Sequence, residues 1–156
     1  MASPSPQREP LCATLGEQPM DVCFHPTRPL VAAGLITGIV ELFGYTRSAA
    51  GDVASHEVHG ESCRAVRFLP GGRVLASGGA DSTLAFSDAE TGALLARVAS
   101  AHAAALNRLE VVCDTVLASG ACACDPCARD VRPAFALTSC SRRVRRLPVA
   151  SRVLCA

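Results

Sequence analysis

Residues 59–79 read His-Gly-Glu-Ser-Cys-Arg-Ala-Val-Arg-Phe-Leu-Pro-Gly-Gly-Arg-Val-Leu-Ala-Ser-Gly-Gly, and residues 80–98 continue Ala-Asp-Ser-Thr-Leu-Ala-Phe-Ser-Asp-Ala-Glu-Thr-Gly-Ala-Leu-Leu-Ala-Arg-Val. Short apolar runs alternate here with turn-forming residues, the pattern of strands in a small antiparallel sheet. Ala65–Phe68 predicts one strand, and Pro70-Gly71-Gly72 turns the chain. Val74–Ser77 predicts a second, Ala80-Asp81-Ser82 a tight turn, and Thr83–Phe86 a third. Glu90-Thr91-Gly92 turns again into Leu94–Val98. Glycine and the short polar side chains supply the backbone conformations that such turns need.

The same pattern recurs on both sides. Val22, Phe24, Pro26, Ala32 and Gly34 return 44 residues later as Val66, Phe68, Pro70, Ala76 and Gly78, with no gap. A further copy opens at Ala101-His102, places Leu109 and Val111 where Val66 and Phe68 stood, and repeats the second strand as Val116–Gly120. Four strands in a unit of this length is the arithmetic of a propeller blade. One local signal competes, because Leu94, Val98, Ala101, Ala105 and Leu109 also fall at helical spacing among good helix formers. Register shared between copies is harder to obtain by chance than an alanine-rich stripe, so strands are expected there.

His-Gly, Val-x-Phe, Leu-Ala-Ser-Gly-Gly-x-Asp and Thr-Leu-x-Phe-x-Asp, over about residues 19–120, resemble a WD40 repeat. Residues 63–68, 88–92 and 98–107, with Phe24-His25-Pro26 and Leu30–Gly34, are similar more narrowly to the WD repeat-containing protein 55 group. The resemblance implies an all-β fold, an incomplete WD40 β-propeller with two four-stranded blades and a partial third. It places the repeats at about 19–58, 59–100 and 101–120, after a flexible segment 1–18. It also implies a non-catalytic scaffold with protein partners, linked in this group to ribosomal RNA processing in the nucleolus and, in plants, to ubiquitin-ligase adaptors. In this family a buried network of His, Ser or Thr, Asp and Trp ties each blade. His59, Ser77 and Asp81 match it, whereas Ser87 stands at the Trp position and Glu90 where ligase-docking motifs carry Arg. The first copy has Phe43 at the Trp position and no acidic residue in its tight turn, Ile36-Thr37-Gly38.

Composition divides the chain near Gly120. Residues 1–120 hold 8 Arg against 12 Asp and Glu, a balance of −4, whereas residues 121–156 hold 7 Arg against 2 Asp, a balance of +5. There is no lysine, and five of the nine cysteines lie beyond Gly120. The tail 121–156 is therefore expected to be a disordered Arg- and Cys-rich segment outside the repeat, and the whole a truncated form of a longer propeller. Two alternatives rest on that tail. Cys122, Cys124 and Cys127, with Cys140 as a fourth thiolate, have part of a zinc-site spacing but lack a second Cys-x-x-Cys. Arg142, Arg143, Arg145 and Arg146 form a cluster suited to nuclear import or to phosphate. Without interleaved aromatics, nucleic-acid binding is the lesser expectation, and a non-functional truncated isoform is the bland one.

Other functions have less support. His25, His56, His59 and His102 each have a turn, loop or network role, and no Ser sits in a Gly-x-Ser-x-Gly nucleophile motif. Gly71-Gly72 and Gly78-Gly79 precede neither a helix start nor a lysine, so they are not a phosphate loop. No enzyme, cofactor or metal is expected. The opening Met1–Pro6 lacks a signal peptide's basic and apolar blocks, and no apolar run approaches the roughly 18 residues of a membrane span. A nuclear or nucleolar location is expected, with the cytoplasm as the alternative, and neither secretion nor membrane contact. Open blade faces at the ends of the stack also predict self-association.

Overall fold

The computed structural model describes residues 11–47, 49–113, 116–122 and 133–139, with residues 122 and 133–139 described as backbone. Among these residues there are strands and no helix. β1 (Pro19–Phe24), β2 (Leu30–Leu35), β3 (Ile39–Tyr45) and β4 (Ala50–Glu57) form the first sheet in chain order. β5 (Cys63–Phe68), β6 (Val74–Gly79), β7 (Leu84–Asp88) and β8 (Leu94–Val98) form the second in the same way. β9 (Leu106–Cys113), β10 (Val116–Cys122) and β11 (Pro133–Ser139) form the third. Every pairing is antiparallel, and the register of β1 on β2 repeats that of β5 on β6, with Phe24 opposite Val31 and Phe68 opposite Leu75.

The helical stripe of residues 94–109 does not form. Leu94 is half exposed and lies opposite Ser87, while Leu109 is fully buried among Leu84, Phe86 and Leu117. A helix would put both on one face, so packing of the sheets overrides local propensity.

The end of the repeat is a correction. Residues 133–139 were expected within a disordered tail, yet β11 pairs with β10 from Cys122 opposite Pro133 to Val116 opposite Ser139 without a register shift. The sequence Pro-Ala-Phe-Ala-Leu-Thr-Ser supplies alternation and β-formers, and proline sits at the strand's first residue, where its missing N–H costs least. The change of composition at Gly120 is thus not where the third sheet ends. The rest of the tail lies outside the described residues.

Two apolar layers hold the sheets together. Leu30, Ala32, Val40 and Leu42 from the back of the first sheet meet Val66, Phe68 and Leu75 from the front of the second. Leu84, Phe86 and Ala76 from its back meet Leu106, Leu109 and Leu117 of the third. The expected core residues Val66, Phe68, Leu75, Leu84 and Phe86 are all buried, each side chain stabilising the fold by about 1.5–3 kcal/mol. Polar contacts set the stagger between sheets. Asp21 accepts hydrogen bonds from the Val66 N–H at 3.0 Å and the Arg67 guanidinium at 2.6 Å. Arg64 donates to Asn107 at 2.8 Å.

Close approach of the sheets depends on glycine at one repeated position. A Cβ on Gly34 would lie 2.8 Å from the Cys63 sulfur, and one on Gly78 would lie 2.3 Å from a methyl carbon of Leu106. Each glycine is the penultimate residue of its sheet's second strand and faces the first residue of the next sheet. Gly78→Ala is expected to destabilise the chain by about 1–3 kcal/mol through overpacking. Gly51→Ala, whose Cβ meets nothing within 4 Å, should change stability by less than about 0.5 kcal/mol. Denaturant midpoints of the two variants provide the comparison, and equal midpoints would contradict tight packing of the second sheet on the third.

Candidate functional site

His59 enters from the loop before β5 and reaches across the end of the second sheet. Its Nε2 lies 2.9 Å from Ser77 Oγ on β6, and its Nδ1 lies 2.9 Å from Thr83 Oγ1 and 3.2 Å from Asp81 Oδ1. Asp81 also accepts from the Thr83 N–H at 3.1 Å and the Thr83 hydroxyl at 2.8 Å. Donor and acceptor counting assigns the tautomer: the Thr83 hydroxyl spends its hydrogen on Asp81, so His59 donates through Nδ1 and accepts from Ser77 at Nε2. Burial holds the imidazole below its usual pKa despite the opposing pull of Asp81. For Asp81, burial works upward, but the two Thr83 hydrogen bonds and then His59 outweigh it, and the carboxyl lies below its ordinary range. Gly79 makes the room, since a Cβ there would lie 2.3 Å from Asp81 Oδ1 and 2.6 Å from His59 Nδ1.

The structure thus brings His59, Ser77 and Asp81 together, and adds Thr83, which the sequence reading passed over. Ser87, at the fourth network position, is buried with its hydroxyl unpartnered. The first sheet solves the same end differently. Forty-four residues before His59, Ser77, Gly79, Thr83 and Ser87 stand Leu15, Ala33, Leu35, Ile39 and Phe43. These five form one apolar cluster. Leu35 and Phe43 thus contribute bulk where the second sheet has glycine and serine. In the third sheet His102 Nε2 lies 2.9 Å from Ser119 Oγ, repeating the His59–Ser77 pair.

At the opposite end, the turn after β7 is built on Asp88. Its carboxylate accepts from the backbone N–H groups of Glu90 at 3.0 Å and Thr91 at 3.1 Å, and from Arg73. These bonds, the two backbone donors foremost, draw its pKa down to about 2. Glu90 pairs with Arg28 of the first sheet at 2.6 Å, an exposed contact of small energetic value. His25 packs edge-on against Phe68, and its Nδ1 accepts from the Thr27 and Arg28 N–H groups.

His59 and Ser77 are buried, and their hydrogen bonds are made within the end of the sheet. Among the described residues no cluster of His, Cys, Asp and Glu has the geometry to hold a metal ion. Burial pushes the Cys63 thiol up to about 12, which suppresses its thiolate. Cys124, Cys127, Cys140 and Arg142, Arg143, Arg145 and Arg146 lie outside the described residues, and Cys122 is described only as backbone in β10. Met20, Val22 and Phe24 on β1, and Val53 on β4, are large apolar side chains left in solvent.

No family model matches the chain. Relatives do. WD repeat-containing protein 55 of Arabidopsis thaliana is 43% identical over 108 residues, covering 68% of this chain and 30% of the plant protein. The homolog of that protein in Drosophila melanogaster is 37% identical over 100 residues, covering 64% of this chain and 20% of its own length. In structure, Sqt1 of Chaetomium thermophilum, bound to the N-terminus of the ribosomal protein L10, aligns with a TM-score of 0.59 and 26% identity, over 64% of this chain and 28% of that one. A chain of the Mitotic Checkpoint Complex aligns with a TM-score of 0.57 and 20% identity, a likeness of fold. The chain belongs to the WD40-repeat family. In WD40 terms the three sheets are successive blades of an incomplete propeller. The chain spans less than a third of the curated relatives it matches.

Two measurements test the network of the second blade. Asp81→Ala leaves the Thr83 N–H and His59 Nδ1 without their acceptor, and should cost about 1–3 kcal/mol. Stability should also fall with acid in two steps. His59 has a depressed pKa, so its contribution is complete above 6.5 and is lost as pH falls through the lower folded value. Asp81 and Asp88 are depressed too, so theirs is complete above 3.8 and fades as pH falls further, for Asp88 toward about 2. His59→Gln should shrink the upper step without abolishing it, because burial also depresses His25 and His102. A pH series of denaturation midpoints reads both steps.

Proposed function

We propose that this chain is a non-catalytic protein-interaction scaffold acting in ribosome biogenesis, in the nucleus or nucleolus. The observation that carries the reading is the 43% identity to WD repeat-containing protein 55 across the blades. The resemblance to that group implies ribosomal RNA processing. Likeness to Sqt1, whose structure holds the N-terminus of a ribosomal protein, supports a protein segment as the thing bound. The buried chemistry agrees, because the histidines of the second and third blades are engaged in holding blade ends together. The ubiquitin-ligase adaptor reading is weaker: Glu90 occupies the position where docking motifs carry Arg, and it pairs with Arg28.

Affinity purification of the full chain from nuclear extract tests the scaffold against its rival, RNA or zinc binding through the tail. Ribosomal or pre-ribosomal proteins should be recovered, and should remain after ribonuclease and after a zinc chelator. Loss of the recovered proteins on either treatment would move the activity to the arginine- and cysteine-rich segment. Absence of any ribosome-related protein would remove the biogenesis assignment.

A further inference from the structure

The third sheet repeats the seam-forming side of the two before it. In register, Gly34 stands opposite Val40 and Ala32 opposite Leu42 in the first sheet, and Gly78 opposite Leu84 and Ala76 opposite Phe86 in the second. In the third, Gly120 stands opposite Phe135 and Ala118 opposite Leu137. Gly34 and Gly78 leave room for Cys63 and Leu106, the first residues of the sheets that follow. Gly120 holds the same place, and among the described residues no sheet follows it. A glycine inside a strand weakens it and often marks a close approach by another group.

The other end of the stack is open along one strip. The segment carrying Leu15 and Gly16 covers the β2–β3 half of the first sheet's front, where Ala33, Leu35 and Phe43 are buried and Glu41 abuts Gly16. β1 is left uncovered. Val22 and Phe24 are 51% and 65% exposed, whereas Val66 and Phe68, their equivalents 44 residues on, are 0% and 6% exposed beneath the first sheet. Inside the molecule the seams run chiefly along that same strip, the first strand of the later sheet: β5 lies against β1 and β2, and β9 against β5 and β6. The residue after Phe24 or Phe68 reaches across its seam. His25 packs edge-on against Phe68, and Leu69 is buried in the cluster of Leu106 and Leu109. Val112 takes that place in the third sheet, and it is 60% exposed.

We propose that the back of the third sheet docks on β1 of a second copy of the chain, and that two copies close into a ring through two such contacts. Gly120 then admits Pro19 of the second copy, which holds the register position of Cys63 and Leu106 in its own sheet. Val112 packs on Phe24 as His25 packs on Phe68. Continuity with the two seams already present identifies the occupant. What covers a first strand in this molecule is the back of another sheet, and the third sheet supplies such a back with no partner among the described residues. Three sheets in each of two copies make six blades, within the four to eight of closed propellers. A head-to-tail contact that closes in this way stops at the dimer. Pairing of β1 with β1 would cover one end of each copy and leave both third sheets open. Charge at the inner edge of a seam is accommodated, as Asp21 and Arg67 show, and Arg108 has the register position of Asp21.

The inference is independent of the ribosomal assignment. Sedimentation of the full chain at micromolar concentration in reducing buffer should show a dimer. Phe24→Glu, Val112→Arg and Gly120→Val should each weaken it by about tenfold or more. Mixed together, the Phe24→Glu and Val112→Arg chains should recover the dimer, because one seam is then unaltered and the other pairs opposite charges. Leu94→Arg, on the outer strand β8, should change nothing. Circular dichroism checks that the blades of each variant remain folded, and Phe24→Ser and Val112→Ser replace a charged variant that fails. A photo-crosslinking phenylalanine analogue at Phe24 should capture the tryptic peptide 109–129, which carries most of β9 and all of β10, from an isotopically distinct copy. A monomer, open-ended growth with concentration, a mixture that stays monomeric, or a dimer indifferent to Val112→Arg or Gly120→Val would each overturn the proposal. So would capture of β1, of residues 1–8 or of residues 143–156 at Phe24, or weakening by Leu94→Arg.

Discussion

Both faces of the second sheet are covered by its neighbours, and from that constraint the rest follows. Val66 and Leu75 fill one side of the second blade while Ala76 and Leu84 fill the other, and each set finds its partners on a different neighbour. A blade removed from its neighbours would present two apolar surfaces to water and hold itself together only by its ladder bonds. Stability therefore resides between sheets, and the features that tune it sit at the seams. Gly34 and Gly78 admit the first side chain of the following sheet, and Asp21 fastens the edge of β5. Interaction through faces is the natural chemistry of such an object, because face contact is how it folds.

The ends of the blades show that one frame accepts two chemistries. The second blade closes its end with an imidazole, two hydroxyls and a carboxylate, and needs a glycine beside them for space. The first closes the same end with leucine, alanine, isoleucine and phenylalanine, and replaces that glycine by Leu35. Backbone register is common to both. Substituting a single member would be costly in either blade, since it would leave a polar atom unpaired or a carboxylate against hydrocarbon.

Much of this was legible in the sequence because the repeat compares the chain with itself. A period of 44 locates strands, turns and the residues Val66, Phe68, Leu75, Leu84 and Phe86 without outside information, and it outweighed the helical stripe at residues 94–109. His59, Ser77 and Asp81 could be singled out from the family pattern. Thr83 was missed because its hydroxyl is ordinary in a strand, and its role appears only when it is seen between Asp81 and His59. The apolar set of the first blade was present in the same alignment, at Leu15, Ala33, Leu35, Ile39 and Phe43, but it had been read as the loss of a network. β11 was hidden by composition: arginine and cysteine around it masked a short alternating strand, and the insertion before it broke the period. Contacts between turns of different blades, such as His25 against Phe68, depend on stagger and have no local signal.

The apolar plug of the first blade and the hydrogen-bonded lock of the second also differ in their response to temperature. Hydrocarbon burial is driven by solvent entropy near 25 °C and loses strength as water cools. Hydrogen bonds among His59, Ser77, Thr83 and Asp81 have no such dependence on the ordering of water around apolar surface. The ends of neighbouring blades in one chain are thus fastened by bonds of different thermal character. In the cold, it is the end formed by Leu15, Leu35 and Phe43 that loosens first.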